Sequence, residues 1–326
     1  MTFALVTGGA GFVGAHLVRA LRARGERVRV FDLKLGAGDE NLVGSICEPD
    51  AACRAAEGAD SVFHLAGNAG LWARDARVFD RVNRAGTEIM IEAARGAGVR
   101  RFVHCSSLTT LVGRRTPIGV SRADERVRLE ARDMLGPYPR SKLLAERAIE
   151  TAVCDGLDAV IGIPTEPLGA GDAGLTPPSQ MILDFLNAKT PAYIDCVLNF
   201  VPADSLAEGL IALRDRGQRG ERYLLGGQDV GMSDLLAALE RISGRPMPKT
   251  KLPYAVAQIA GLVDTHLFAR ATGKPPKAPL TGVRLAGRRV SFSSEKAARE
   301  LGWRAGPFEP ALRGAVCWMQ QTGLAA

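Results

Sequence analysis

The sequence predicts an α/β protein in which a doubly wound parallel sheet is followed by a smaller C-terminal α/β lobe for substrate. Three observations carry that expectation. Short apolar runs suited to buried strands alternate with stretches of helical periodicity from the first residues to Pro164. A glycine-rich turn joins the first run to the first helical stretch. Beyond Pro164 a loop dense in Pro and Gly gives way to helices with short strands.

Phe3-Ala4-Leu5-Val6 is too short for a helix and runs straight into Thr7-Gly8-Gly9-Ala10-Gly11-Phe12-Val13-Gly14, so it reads as a buried parallel strand. Val13, Leu17, Val18 and Leu21 then recur at helical spacing until Arg24-Gly25 supplies a stop, and strand alternation resumes from Arg27 to Asp32. Further strands are expected over 41–46, 61–66, 101–106 and 158–164, with helices over 78–94 and 138–153. Parallel neighbours need crossovers, and crossovers in one sheet are right-handed, which leaves the doubly wound arrangement. Pro164, Pro167, Gly169, Gly171, Gly174, Pro177 and Pro178 mark a boundary: residues 1–164 form the dinucleotide-binding domain and 165–326 the substrate lobe. Leu198-Asn199-Phe200-Val201 and the helical stretch after it read as a strand-helix pair, so that 198–225 returns to the first domain.

Composition narrows the classes of function. The chain has 326 residues, 46% of them hydrophobic and 24% charged, enough for a sizeable core and unlike a disordered or fibrous chain. No apolar run approaches the ~18 residues of a membrane span, and the N-terminus enters a strand at once, so neither span nor signal peptide is expected. Six Cys stand singly, without metal-ligand spacing, which suits a cytoplasmic protein and gives no metal site. The net charge of +7 comes from scattered Arg clusters among acids, with no basic tract for nucleic acid.

The glycines of the first turn read as Gly9-x-Gly11-x-x-Gly14 or Gly8-x-x-Gly11-x-x-Gly14. Either way, absent side chains let backbone N–H groups and a helix N-terminus approach a pyrophosphate. Asp32, at the end of the second strand, stands where a carboxylate can accept hydrogen bonds from the adenosine ribose and repel a 2′-phosphate, which favours NAD over NADP. Tyr138-Pro139-Arg140-Ser141-Lys142 opens a helical pattern, placing phenol and ammonium one turn apart on one face. An ammonium beside a phenol lowers its pKa toward working pH and makes it a usable acid/base. Between these motifs the strand ending in Ser106-Ser107-Leu108-Thr109-Thr110 presents hydroxyls at the end where open sheets bind ligands.

Together with Phe63-His64-Leu65-Ala66-Gly67, Asn83 and Gly86-Thr87, these motifs resemble the extended short-chain dehydrogenase/reductases, the NAD-dependent epimerase/dehydratase family, over nearly the whole chain. Leu71-Trp72-Ala73-Arg74-Asp75, Asp184-Phe185-Leu186-Asn187, Pro191-Ala192-Tyr193-Ile194-Asp195 and Phe292-Ser293-Ser294-Glu295-Lys296-Ala297 look like the hopanoid-associated sugar epimerase group, which is close to dihydroflavonol reductases and 3β-hydroxysteroid dehydrogenases. The resemblance implies a Rossmann-type fold and the following roles; a homodimer is expected as well. Ser107, preferred to Ser106, would orient the substrate oxygen; Tyr138 would exchange its proton; Lys142 would bind the nicotinamide ribose and tune Tyr138. Gly8, Gly11, Phe12, Val13, Gly14 and Asp32 would hold the dinucleotide, Ser45 and Ile46 would lie against adenine, Leu65, Ala66, Gly67 and Asn83 would line the cofactor, and Pro164 and Thr165 would border the nicotinamide.

Departures from the family pattern carry information too. Ser45 stands where an Asp is common, and Asp32 where the hopanoid group has a more basic strand end. The Arg-Asp-Phe and Arg-Pro-Gly-Asp segments of many nucleotide-sugar epimerases are replaced by Val197-Leu198-Asn199-Phe200-Val201-Pro202 and by Gly287-Arg288-Arg289, which argues against a nucleoside-diphosphate sugar. The expected reaction is NAD-dependent epimerisation of a sugar-like or polyol substrate, with a net dehydrogenase or reductase as the alternative. Gly169 to Gly174 is expected to be a mobile loop beside the site, Trp72 and Tyr193 are candidates for an apolar pocket wall, and the apolar stretch from Tyr254 to Phe268 is expected to serve packing, a dimer or a membrane surface.

Overall fold

The computed structural model describes residues 3–325, the side chain of Arg270 excepted. Strands β1 (Phe3–Thr7), β2 (Arg27–Asp32), β3 (Glu40–Val43), β4 (Ser61–His64), β5 (Arg101–Cys105), β6 (Ala159–Pro164) and β7 (Arg222–Leu225) form one sheet in the order β3-β2-β1-β4-β5-β6-β7. Every pairing in it is parallel. The chain order reverses between β1 and β4, and ligands of such sheets sit in the crevice beyond the strand ends at that point.

Alternation along each strand divides the core in two. Leu5, Phe31, Phe102 and Ile161 point to the face covered by α2 (Pro49–Ala56), α3 (Gly86–Gly96) and α4 (Pro137–Cys154). Ala4, Val6, Val30, Val103 and Val160 point to the face covered by α1 (Phe12–Ala23) and α5 (Ala203–Arg216). A period of two puts neighbours on opposite faces, so these near-continuous apolar runs belong to strands buried on both sides. Ahead of α3 the same helix starts at Arg77 and widens into a π turn over Asp80–Ala85.

The strand read at Leu198-Asn199-Phe200-Val201 forms, as Val197–Pro202, but outside the main sheet. It lies between Glu166–Leu168, parallel to it, and Gln228–Gly231, antiparallel to it. The place beside β6 is taken instead by β7, whose four residues are all buried. The following helix α5 does return to the main sheet, where Leu206, Leu210 and Leu213 complete the second core face. A third cluster, with Phe200, Leu235, Leu312 and Met319 fully buried, holds the C-terminal lobe together.

One buried ion pair ties α4 to the strand ends. Glu146 and Arg222, with side chains 2% and 3% exposed, meet at 3.0 Å. The Arg222 guanidinium also donates to the carbonyls of Glu125 and Val127 at 3.1 and 2.9 Å. On its other oxygen Glu146 accepts from the Ser106 hydroxyl and, at 2.7 Å, from that of Thr110. Burial pushes the Glu146 carboxyl up, and the two hydroxyls pull it back. Removing one partner of a buried pair strands the other charge, so Arg222→Leu is expected to cost about 3–5 kcal/mol of unfolding free energy. Glu146→Leu in the same chain should restore most of that loss; urea denaturation of the single and double variants measures both.

Candidate functional site

At the carboxyl end of β1 the chain turns through Thr7 to Gly14 and enters α1. Gly8 has φ +74°, and a Cβ there would stand 2.7 Å from the Ala66 nitrogen. A Cβ on Gly14 would stand 2.0 Å from the Gly8 carbonyl oxygen. Both positions therefore admit only glycine, and the motif is best read as Gly8-x-x-Gly11-x-x-Gly14. Gly11 caps α1 without a side-chain bond, so the first N–H groups of Phe12, Val13 and Gly14 face the crevice as donors for an anion. The Asp32 carboxylate accepts the Ala10 N–H at 3.0 Å, which places it on the edge of the turn. A cradle that a Cβ would fill, helix N–H groups and a carboxylate at the second strand end together fit an adenine dinucleotide.

Tyr138 and Lys142 lie in the first two turns of α4, buried beside the end of β5. Lys142 donates to the Cys105 carbonyl oxygen at 2.6 Å. Tyr138 is paired with the Ser107 hydroxyl, which lowers its pKa, but burial dominates and pushes the phenol up to about 12. The expected depression by Lys142 is thus not the ruling effect. The ammonium is turned to a backbone carbonyl, and its own pKa is lowered by burial. Ser106 and Ser107 part company here. Ser106 is committed to Glu146, whereas Ser107 faces Tyr138 and accepts from Thr109 N and Oγ1 at 3.3 and 3.1 Å.

A chain of hydrogen bonds links the glycine turn to the tyrosine helix. Ala66 N donates to Thr7 Oγ1 at 3.2 Å, Thr7 Oγ1 meets His64 Nδ1 at 2.8 Å, and His64 Nε2 meets Thr87 Oγ1 at 3.0 Å. Thr87 donates to the Asn83 carbonyl at 2.6 Å, so its oxygen accepts from His64 Nε2–H and Thr7 donates to Nδ1. Burial, with Lys142 adding to it, holds His64 at a pKa of about 3, and the ring is neutral. Asn83 Nδ2 bonds Ser141 Oγ at 2.9 Å and the Asn68 carbonyl at 3.0 Å, while its Oδ1 accepts the Asn68 N–H at 2.7 Å. Asn83 therefore braces the 66–70 loop against α4, with its amide fully used. Ser45 Oγ caps its own turn at Cys47 N, and Ile46 packs in the core against Gly86. Leu65 to Gly67 follow β4 directly, and Thr165 is buried beyond β6 with no partner for its hydroxyl.

The Gly169–Gly174 loop, expected to be mobile, is pinned. His16 bonds the Ala170 carbonyl at 3.0 Å, and Asp172 accepts the Thr176 N–H at 2.9 Å. Beside the Ser107 segment opens a cavity of about 440 Å³ between the two lobes. Leu108, Val112 and Leu71 form its wall on the sheet side, and Met181, Tyr193, Leu235 and Val283 its wall in the C-terminal lobe. Tyr193 lines it as expected, and Leu71 stands where Trp72 was the candidate. Sequence reasoning missed this lining and missed Glu166, whose side chain reaches the cavity with Oε2 buried and unpartnered. Burial pushes that carboxyl up to about 8. The available signal was a lone acid in the Pro- and Leu-rich segment just after Pro164-Thr165.

A family model described as the NAD dependent epimerase/dehydratase family matches residues 4–226. A protein of Synechocystis sp. whose name assigns it provisionally to dihydroflavonol 4-reductase is 33% identical, covering 98% of this chain and 94% of its own length. Sterol demethylase protein B of Methylococcus capsulatus is 32% identical, covering 98% and 99%. The solved structure of gox2253 superposes with a TM-score of 0.86 at 32% identity over 100% of both chains. Glycine turn, tyrosine helix and seven-stranded parallel sheet agree with these likenesses: the chain is an oxidoreductase and belongs to the NAD dependent epimerase/dehydratase family.

Proposed function

We propose that this enzyme interconverts a secondary alcohol and a ketone on a largely apolar substrate, as a net NAD(H)-linked dehydrogenase or reductase. The observation that carries the reading is the cavity beside Ser107, whose wall is aliphatic and aromatic with a single carboxyl among few polar groups. A polyol would leave its hydroxyls unpaired there, at a cost of about 1–3 kcal/mol each. The names of the relatives, one a dihydroflavonol reductase by provisional assignment and one a sterol demethylase, point to the same substrate class. The sequence favoured a redox-neutral epimerase, and the family description keeps that as the second reading.

A nicotinamide held here would supply or accept the hydride at the carbinol carbon. Gly8, Gly11 and Gly14 with the N–H groups of Phe12 and Val13 would hold the pyrophosphate, and Asp32 would favour the unphosphorylated ribose. Ser45 and Ile46 would lie against adenine, Leu65, Ala66, Gly67 and Asn83 would line the cofactor, and Pro164 and Thr165 would border the nicotinamide. Lys142 would hold the nicotinamide ribose. Ser107 orients the substrate oxygen and Tyr138 exchanges the proton: in reduction the phenol O–H donates to the oxygen that becomes the alcohol, and in oxidation the phenolate takes that proton back. Residues 1–164 with 203–225 serve as the cofactor domain, and the remainder as the substrate lobe.

Tyr138→Phe is expected to keep cofactor binding and lose on the order of 10² to 10⁴ in kcat, measured by steady-state turnover. With the phenol held near a pKa of about 12, its protonated form dominates at neutral pH. Ketone reduction should therefore be flat with pH through the neutral range, while alcohol oxidation should rise with pH; pH profiles in both directions test the sign. Calorimetric titration should show NAD(H) binding more tightly than NADP(H), with Asp32→Ala narrowing the gap. Steady release of reduced cofactor with an alicyclic alcohol distinguishes the net oxidoreductase from an epimerase, which would retain its cofactor and return the hydride.

A further inference from the structure

We propose that the helix over 254–268 docks the enzyme on an anionic lipid surface, so that an apolar substrate passes from the lipid into the cavity. The helix runs as Tyr254–Val263 and continues through a wide turn over Asp264–Phe268. Its outward side chains are Val256, Ile259, Leu262, Leu267 and Phe268, from 48% to 65% exposed. These are five of the eleven large hydrophobic residues exposed among the described ones. The same helix turns Ala257 to the cavity wall and packs Gly261 against the backbone of Ala278 and the side chain of Val283. One helix thus has the cavity behind it and apolar side chains in front. Among the described residues no helix is long and apolar enough to cross a membrane; this one exposes apolar side chains and carries no Lys or Arg over 254–268, so the cations that could face a lipid surface lie in the segments that flank it.

Charge decides what covers the face. Lys249, Lys251, Lys274 and Lys277 are exposed around it, and the Arg74 guanidinium stands near Gly273. Within 249–277 the one acid is Asp264, and its carboxylate is used on the Ala278 N–H at 2.9 Å; Lys251 is paired outside the segment with Asp195. A second copy of the chain would bring the same positive charge to the contact, whereas an anionic lipid surface complements it. Lys277 and Pro279 line the cavity as well, so the basic rim and the cavity wall are continuous.

Only the delivery of substrate rests on the proposed function; docking itself requires no turnover. The test is sedimentation of the full chain with vesicles of equimolar phosphatidylcholine and phosphatidylglycerol. Binding is expected to anionic vesicles, to weaken on pure phosphatidylcholine and at raised salt, and to fall by about tenfold or more in the double variant Ile259→Glu with Phe268→Glu. That variant should keep its melting temperature and NAD(H) affinity, since both side chains are exposed and outside the cofactor crevice. Lys274→Glu with Lys277→Glu provides an independent variant that should also lose vesicle binding. Absence of binding to anionic vesicles, or binding unchanged in the double variants, overturns the proposal. So does light scattering that shows a dimer dissociated by Ile259→Glu with Phe268→Glu, which would mean that a second copy covers the face.

Discussion

The arrangement of the candidate site depends on a carboxyl that stands outside the proposed proton transfer. Glu146, one turn beyond Lys142 on α4, draws in the Ser106 and Thr110 hydroxyls and the Arg222 guanidinium. The two hydroxyls bracket Ser107, so the segment after β5 is held from both sides, and Ser107 faces the Tyr138 phenol. Arg222 extends the hold to β7 and to the carbonyls of Glu125 and Val127. A single buried charge therefore sets the distance between helix and strand ends, and geometry of that kind is what positions an acid/base group against a substrate oxygen. Burying a charge is costly unless it is paired and hydrogen-bonded, and Glu146 has three partners.

How far the molecule could be read from its sequence follows from the range of the interactions involved. The strands and helices of the cofactor domain are written in local periodicity, because a strand buried on both faces is a short apolar run wherever it occurs. Gly8 and Gly14 were legible for the same reason: the turn that needs them spans eight residues. The strand Val197–Pro202 was legible as a strand and not in its place, since its partners at Glu166–Leu168 and Gln228–Gly231 are remote in the chain. Ser107 was separated from Ser106 only by a family habit; in the structure the separation is made by Glu146, forty residues away along the chain from Ser106. The cavity was least legible of all, for its wall is assembled from five or more segments that no local pattern connects.

Electrostatics within the site run toward neutrality. His64 is held at about 3, the Tyr138 phenol at about 12, and the His104 ring well below its ordinary value, each chiefly by burial. Lys142 faces these neutral groups with its proton directed at the Cys105 carbonyl. A protonated His64 would set two cations close together in a low-dielectric interior; the neutral ring instead works as a hydrogen-bonded strut between Thr7 and Thr87. Burial thus keeps the Tyr138 phenol protonated at neutral pH, the state that the proposed general-acid role requires.

Glu166 carries the same logic into the cavity. Its carboxyl, pushed up to about 8, is mostly protonated at neutral pH, and its buried Oε2 has no partner in the protein. A charged carboxylate in that wall would need a cation, but Lys277 is exposed at the cavity rim. A neutral acid needs none: it can donate its O–H to an oxygen on an otherwise apolar ligand while its carbonyl oxygen remains an acceptor. Glu166 is thus the one carboxyl in a wall that is otherwise largely aliphatic and aromatic, a wall that reaches the sheet side at Leu108, next to Ser107. On the proposed reading, a flat or fused-ring molecule with an oxygen opposite Glu166 suits that wall, whereas a sugar would leave several hydroxyls there unpaired.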